Sequence, residues 1–125
     1  MQPLRVVIAQ ADCIVAEALA SSLHSFFSAV IVARTPEELR KLILKERADA
    51  AVVDLEMMEL PQVADLCHEF ASMAVITTHR IPDEKMWTAA LNAGACDCCD
   101  FHDVRNIIGA IARGTHKSHF VAHAA

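Results

Sequence analysis

AAVVDLEMMELP, residues 50–61, is the stretch whose reading decides the fold. An uncharged apolar run ends on a carboxylate, Asp54, and a short irregular segment follows. A brief continuous apolar run of this kind predicts a strand buried on both faces, at 50–54. Beyond it the period changes: Val63, Leu66, Cys67 and Phe70 recur at helical spacing. A buried strand followed by a helix is half of a parallel crossover unit, so the question is whether the flanking sequence repeats it.

It does, in both directions. Toward the N-terminus, AVIVA (29–33) predicts a strand, and TPEEL after it combines a Thr35 cap, Pro36 at the first helical position and Glu38 three residues after the cap. That is a capping box opening a helix whose inner stripe is Leu39, Leu42 and Ile43. Before these, LRVVIA (4–9) predicts a strand, and Asp12 caps a helix carrying Ile14, Val15, Ala18, Leu19, Leu23 and Phe26. Toward the C-terminus, MAVIT (73–77) predicts a strand and 82–93 a helix, beginning near Pro82 and stopped by Gly94. ACDCC (95–99) predicts a fifth strand, and Val104, Ile107, Ile108 and Ile111 the stripe of a fifth helix ended by Gly114. Five strand–helix units in strict alternation imply a parallel sheet covered by helices on both faces. Sites in such sheets lie outside the carboxyl ends of the strands, near the switch in strand order. The candidates there are Gln10-Ala11-Asp12, Asp54 and Thr77-Thr78.

The bulk composition narrows the function. A chain of 125 residues, 54% hydrophobic, fits one ordered domain, taken as residues 1–113 with 114–125 as a tail. No apolar run approaches the roughly 18 residues of a membrane span, and the N-terminus does not read as a signal peptide. A soluble, cytoplasmic protein with no membrane partner is expected. Eleven basic against sixteen acidic residues give a net charge of −5, which argues against a nucleic-acid surface on this chain. None of the three glycines follows a strand, which disfavours dinucleotide, P-loop and flavin-phosphate loops. Five cysteines without a secretory signal suggest reduced thiols.

The order of the units, VVDLEMM around Asp54, VITT ending the fourth strand and ALNAGACD before the fifth resemble the receiver domain of bacterial two-component response regulators over residues 4–113. DVRNIIGAIARG with the polar stretch after it is similar to the NarL/LuxR class. The resemblance implies a flavodoxin-like (βα)5 α/β fold with strand order 2-1-3-4-5. It implies that Asp54 is the phosphoacceptor position and Thr77 the switch hydroxyl position. In the family a pair of acids after the first strand holds a divalent cation, and a lysine after the fifth strand meets the phosphoryl oxygens. Here those positions hold Gln10 and Ala11, with Asp12 one residue late, and Phe101. The aromatic switch position holds Cys98, and Glu56 completes the degenerate pocket.

The resemblance therefore implies an atypical receiver, a pseudo-receiver without enzymatic activity of its own. It would be the regulatory module of a DNA-binding transcription regulator, acting as a homodimer or by partner contact. A histidine kinase or a small-molecule effector are the candidate partners, and DNA would be met only through an output domain outside this chain. No cofactor is expected, and Mg2+ would be weakly bound or absent, with Asp12 and Asp54 as its only carboxylates. Two alternatives stand beside this: a working phosphoacceptor on Asp54, and a redox sensor built on Cys96, Cys98 or Cys99. Alternation would put Cys96 and Cys98 on one strand face and Cys99 on the other. As single cramped ligands they suit a buried core better than zinc. His116, His119 and His123 fall on one face of any helix the tail forms, as a solvated linker or a metal site.

Overall fold

The computed structural model describes the backbone of residues 2–80 and 83–124 and the side chains of 4–80 and 83–116. The elements alternate throughout: β1 (Gln2–Ala9), α1 (Cys13–His24), β2 (Phe27–Ala33), α2 (Pro36–Glu46), β3 (Ala50–Asp54), α3 (Leu60–Glu69), β4 (Ala74–His79), α4 (Glu84–Asn92), β5 (Asp97–Asp100) and α5 (Val104–Ala124). The five strands form one sheet in the order β2-β1-β3-β4-β5, and every pairing is parallel. The fold class and strand order are those expected from the sequence.

Period-2 alternation divides the core. Val6, Ile8, Ala50, Val52, Ala74 and Ile76 face Leu19 and Leu23 of α1 and Ile107 and Ile111 of α5. Val7, Ala9, Ala51, Val53 and Val75 face Leu39 and Ile43 of α2 and Val63 and Leu66 of α3. β3 lies between β1 and β4 and is buried along its whole length, which is why its sequence is a continuous apolar run. α4 is held more thinly, with Ala90 its one fully buried residue, in a small cluster with Ala95 and Cys98.

The helix starts follow their caps. Asp12 accepts from the N–H groups of Ile14 and Val15 at 2.8 and 3.3 Å. Thr35 accepts from Glu38 N at 3.0 Å, but Glu38 Oε1 takes the N–H of Arg34 at 2.9 Å, one residue before the cap that a strict capping box would serve. Asp83 caps α4 through Met86 N; Pro82, the expected start, lies outside the described residues. Gly94 follows α4 with φ 109°, the left-handed conformation a helix stop needs.

Several boundaries differ from expectation. β1 and β2 each start two residues early, at Gln2 and Phe27, and α1 ends at His24, so the exposed Phe26 lies in the turn and not in the helix stripe expected to hold it. β4 runs on to His79 because the β-branched Thr77 and Thr78 pair with both β3 and β5. β5 starts at Asp97 rather than at residue 95, since the chain is still leaving the Gly94 turn. Gly114 does not end α5: it lies inside the helix against Ala74 and Cys96, and the buried Thr115 follows it.

Candidate functional site at the carboxyl edge of the sheet

The strand order reverses between β1 and β3, so the crevice forms where Gln10 follows β1 and Asp54 ends β3. Asp54 is 2% exposed. Its Oδ2 accepts the N–H of Ala11 at 3.1 Å and its Oδ1 accepts the N–H of Glu56 at 3.0 Å. One carboxylate thereby ties the loop after β1 to the loop after β3. The carbonyl of Asp54 also accepts from the N–H groups of Met57 and Met58, closing the turn that leads to α3. Asp54 is both the polar residue opening a loop and a group placed at a strand tip.

Beside it, Gln10 is 4% exposed, and its Nε2 donates to Thr78 Oγ1 at 3.0 Å. Thr78, not Thr77, is the register partner of Asp54 on β4. In-register parallel neighbours point to the same face, so Thr78 completes the buried floor with Gln10. Thr77 pairs with Cys98 and donates its hydroxyl to the carbonyl of Asp97 at 3.0 Å, toward β5.

The side chains of the remaining sequence candidates are engaged elsewhere. Asp12 is exposed and spends Oδ1 on the α1 cap. Glu56 accepts from Arg80 Nε at 2.8 Å, a partly exposed ion pair over the edge. Phe101 packs edge-on to His102, with centroids 4.4 Å apart, and lines a cleft of about 310 Å³ against α1 with Ile14, Val15 and Ala18. Sequence reasoning missed Arg80 as a site residue. Its signal was a lone cation immediately after the β4 tip, legible only once β4 is known to extend to His79.

The thiols split into two groups. Cys13 and Cys96 are exposed, Cys67 is half-buried, and Cys98 and Cys99 are buried. Cys96 lies against Gly114 of α5, while Cys98 packs with Ala90 and Ala95 on the α4 side. The expected shared face of Cys96 and Cys98 is therefore not formed, because residue 96 precedes the strand. Burial pushes the Cys99 thiol up to about 12, with the Asp97 carboxylate adding to it. Burial pushes Cys67 up to about 11, helped by Cys96. Cys98 is also raised, chiefly by burial, with the Asp97 and Asp83 carboxylates adding to it and the Thr77 hydroxyl nearby opposing it. Thiols held protonated are poor nucleophiles. Ellman's reagent at pH 8 should therefore titrate Cys13 and Cys96 rapidly and the other three only on unfolding. The same shifts set a sign for pH. The folded thiols keep protons that unfolded ones release, so this stabilisation is complete below the ordinary thiol value of 9.0 and is lost as pH rises toward about 12.

Among the described residues, no group of three or more His, Cys, Asp or Glu could hold a metal ion. His119 and His123 have side chains outside the described residues.

No family model and no curated protein matches the sequence. Solved structures do. A response regulator from Chloroflexus aurantiacus J-10-fl superposes with a TM-score of 0.74 at 20% identity, covering 89% of this chain and 99% of that one. The Francisella response regulator 1452 receiver domain gives 0.79 at 17% identity, covering 92% and 98%. The fold is that of response regulator receiver domains. NtrX from Brucella abortus matches with a TM-score of 0.86 at 11% identity over 98% of this chain but 28% of its own length.

A receiver that holds magnesium needs several oxygen donors converging on the acceptor aspartate. In this receiver fold Gln10 turns its amide nitrogen to Thr78, Ala11 offers only its N–H, and Asp12 is engaged at the helix cap. No described helix is long and apolar enough to cross a membrane.

Proposed function

We propose that this chain is a receiver-like signalling module that works through self-association or partner contact, without conventional phosphorylation of Asp54. One observation carries the reading: each oxygen of the buried Asp54 carboxylate already holds a backbone N–H from a different loop. The carboxylate acts as a structural tie where a phosphoacceptor would stand open to an in-line phosphorus. Gln10, Ala11 and Phe101 at the charge-bearing positions support the same reading. A missing charge stabiliser commonly lowers the rate by about 10²–10³, and here both the cation holders and the lysine are replaced.

In this proposal the module belongs to a cytoplasmic transcription regulator of the NarL/LuxR kind, as a homodimer. DNA would be reached through an output domain outside this chain, and the DNA-interacting RcsB of Salmonella typhimurium, matched over 62% of its own length, is consistent with that arrangement. A histidine kinase or a small effector would bias it by binding one state of its surface better than another.

The test is incubation with acetyl phosphate and millimolar Mg2+, followed by intact mass, alongside a beryllofluoride titration watched by NMR. The expected result is unmodified mass and unmoved resonances for Ala11, Asp54 and Glu56. A stoichiometric phosphoryl adduct on Asp54 would overturn the reading.

A further inference from the structure

β2 is an open edge of the sheet. It pairs with β1 alone, and from Ala29 to Ala33 that pairing is regular. Phe27–Ala33 holds no charge and no proline, and Val30, Ile31 and Val32 are partly exposed. Edge strands ordinarily carry a device against pairing with another chain: shortness, charge, proline or a bulge. The opposite edge has two of these. β5 is four residues long with a carboxylate at each end. Its Asp97 also draws in the indole N–H of Trp87 from α4 at 2.9 Å and the Arg113 guanidinium from α5 at 3.4 Å. Between Ala29 and Ala33, β2 has none.

We propose that β2 is a homodimerisation edge: the β2 strands of two copies pair antiparallel about a two-fold axis at Ile31, joining their sheets into one. The pairing rests on the self-association proposed above and gives it a surface.

Self-complementarity selects a second copy as the occupant. A two-fold interface requires that residue i meets j and j meets i. AVIVA (29–33) reads the same in both directions. With Ile31 opposite itself, Val30 meets Val32 and Ala29 meets Ala33, so β-branched pairs fill the centre and alanines the ends. The helices over β2 suit the same axis. Leu39 and Ile43 point α2 into the core, and Arg40 pairs with Glu69 of α3. The helical period then turns Glu38, Leu42 and Lys45 toward the β2 side. Glu38 lies level with Arg34, whose N–H it accepts, and Glu46 level with Arg5, the register partner of Ala29. The middle of α2 is therefore level with Ile31, and the axis sets Glu38 of each copy against Lys45 of the other. On the opposite face, α1 turns Ala18 and Ser22 toward Phe101, which leaves the small Ala20 on the β2 side where the two α1 helices come closest.

Sedimentation velocity over a concentration series should show a reversible dimer. Ile31→Lys, a charge at mid-edge, should leave only monomer, with an unchanged circular dichroism spectrum. Ile31→Cys, with Cys13 and Cys96 replaced by serine, should cross-link to itself under diamide, since opposed Cβ atoms lie about 5 Å apart. Ile14→Cys in the same background, at a position 81% exposed on the other side of α1, should not. Lys45→Glu or Glu38→Lys alone should weaken the dimer about fivefold, two exposed ion pairs having turned repulsive. An equimolar mixture of these two variants should dimerise as wild type does. The cross-linking and mixing arms do not depend on how Ile31→Lys folds. A monomer at every concentration, a dimer that survives Ile31→Lys, cross-linking through Ile14→Cys in place of Ile31→Cys, or a mixture no tighter than its parts overturns the proposal. A dimer through another face would leave the self-association reading standing, whereas a phosphoryl adduct on Asp54 would overturn that reading and leave the β2 pairing intact.

Discussion

Asp54→Ala will destabilise this domain by about 2–4 kcal/mol, since a hydrogen bond to a charged group contributes about 1.5–3 kcal/mol and two partly buried ones are lost. The two groups orphaned are the N–H of Ala11 and the N–H of Glu56, in loops the carboxylate now joins. The sign is the informative part. Where several carboxylates crowd a cation site, deleting one relieves repulsion and can stabilise the fold. Here Gln10 is neutral, Asp12 is committed to the α1 cap, and Glu56 is paired with Arg80. Little repulsion is left to relieve, and the lost hydrogen bonds dominate. Asp54→Asn should fall between alanine and wild type, because its amide keeps one acceptor and turns an NH2 group against the other N–H. Urea unfolding followed by circular dichroism measures both. A neutral or stabilising Asp54→Ala would mean that the aspartate is a strained charge, and the structural tie would not exist.

The same two loops show what was legible in sequence and what was not. Strand tips are readable because a buried strand is an apolar run and its end is the first polar residue. Gln10 and Asp54 fall out of that rule, and both prove buried at the edge. Register is not readable. VITT offers two adjacent hydroxyls, and only the pairing of Asp54 with Thr78 decides which one lies on the aspartate's side. The role of Asp12 was legible as a cap, and the same bond that makes it a cap removes that oxygen from Asp54's company. Asp97 was invisible: a carboxylate between two cysteines in CDCC says nothing of an indole ten residues earlier or a guanidinium sixteen later. Those contacts exist because β5 is an edge strand flanked by α4 and α5, which is a fact of topology.

Gly114 is the residue on which the local rule failed, and substitution there tests why. Glycine after a helical stripe normally marks a stop, yet α5 continues through it to Ala124. A Cβ on Gly114 would lie 2.9 Å from Ala74 Cβ and 2.9 Å from Cys96 Sγ. Glycine is there so that the helix can approach the start of β4, and the cue lay opposite, in a second small residue. Gly114→Leu should therefore cost about 3 kcal/mol, the upper end of ordinary overpacking. Gly114→Ala sets two effects against each other. Helix propensity favours alanine by about 1 kcal/mol. The methyl must displace Ala74, whose Cβ is fixed to the strand backbone, while the Cys96 thiol can rotate away. The strand contact should win, giving a net loss. Ala74→Gly in the Gly114→Ala background should then recover part of it, a coupling that a double-mutant cycle isolates. If Gly114→Ala instead raises the urea midpoint at constant slope, α5 stands further from β4 than the packing requires, and the close approach is not what selects glycine.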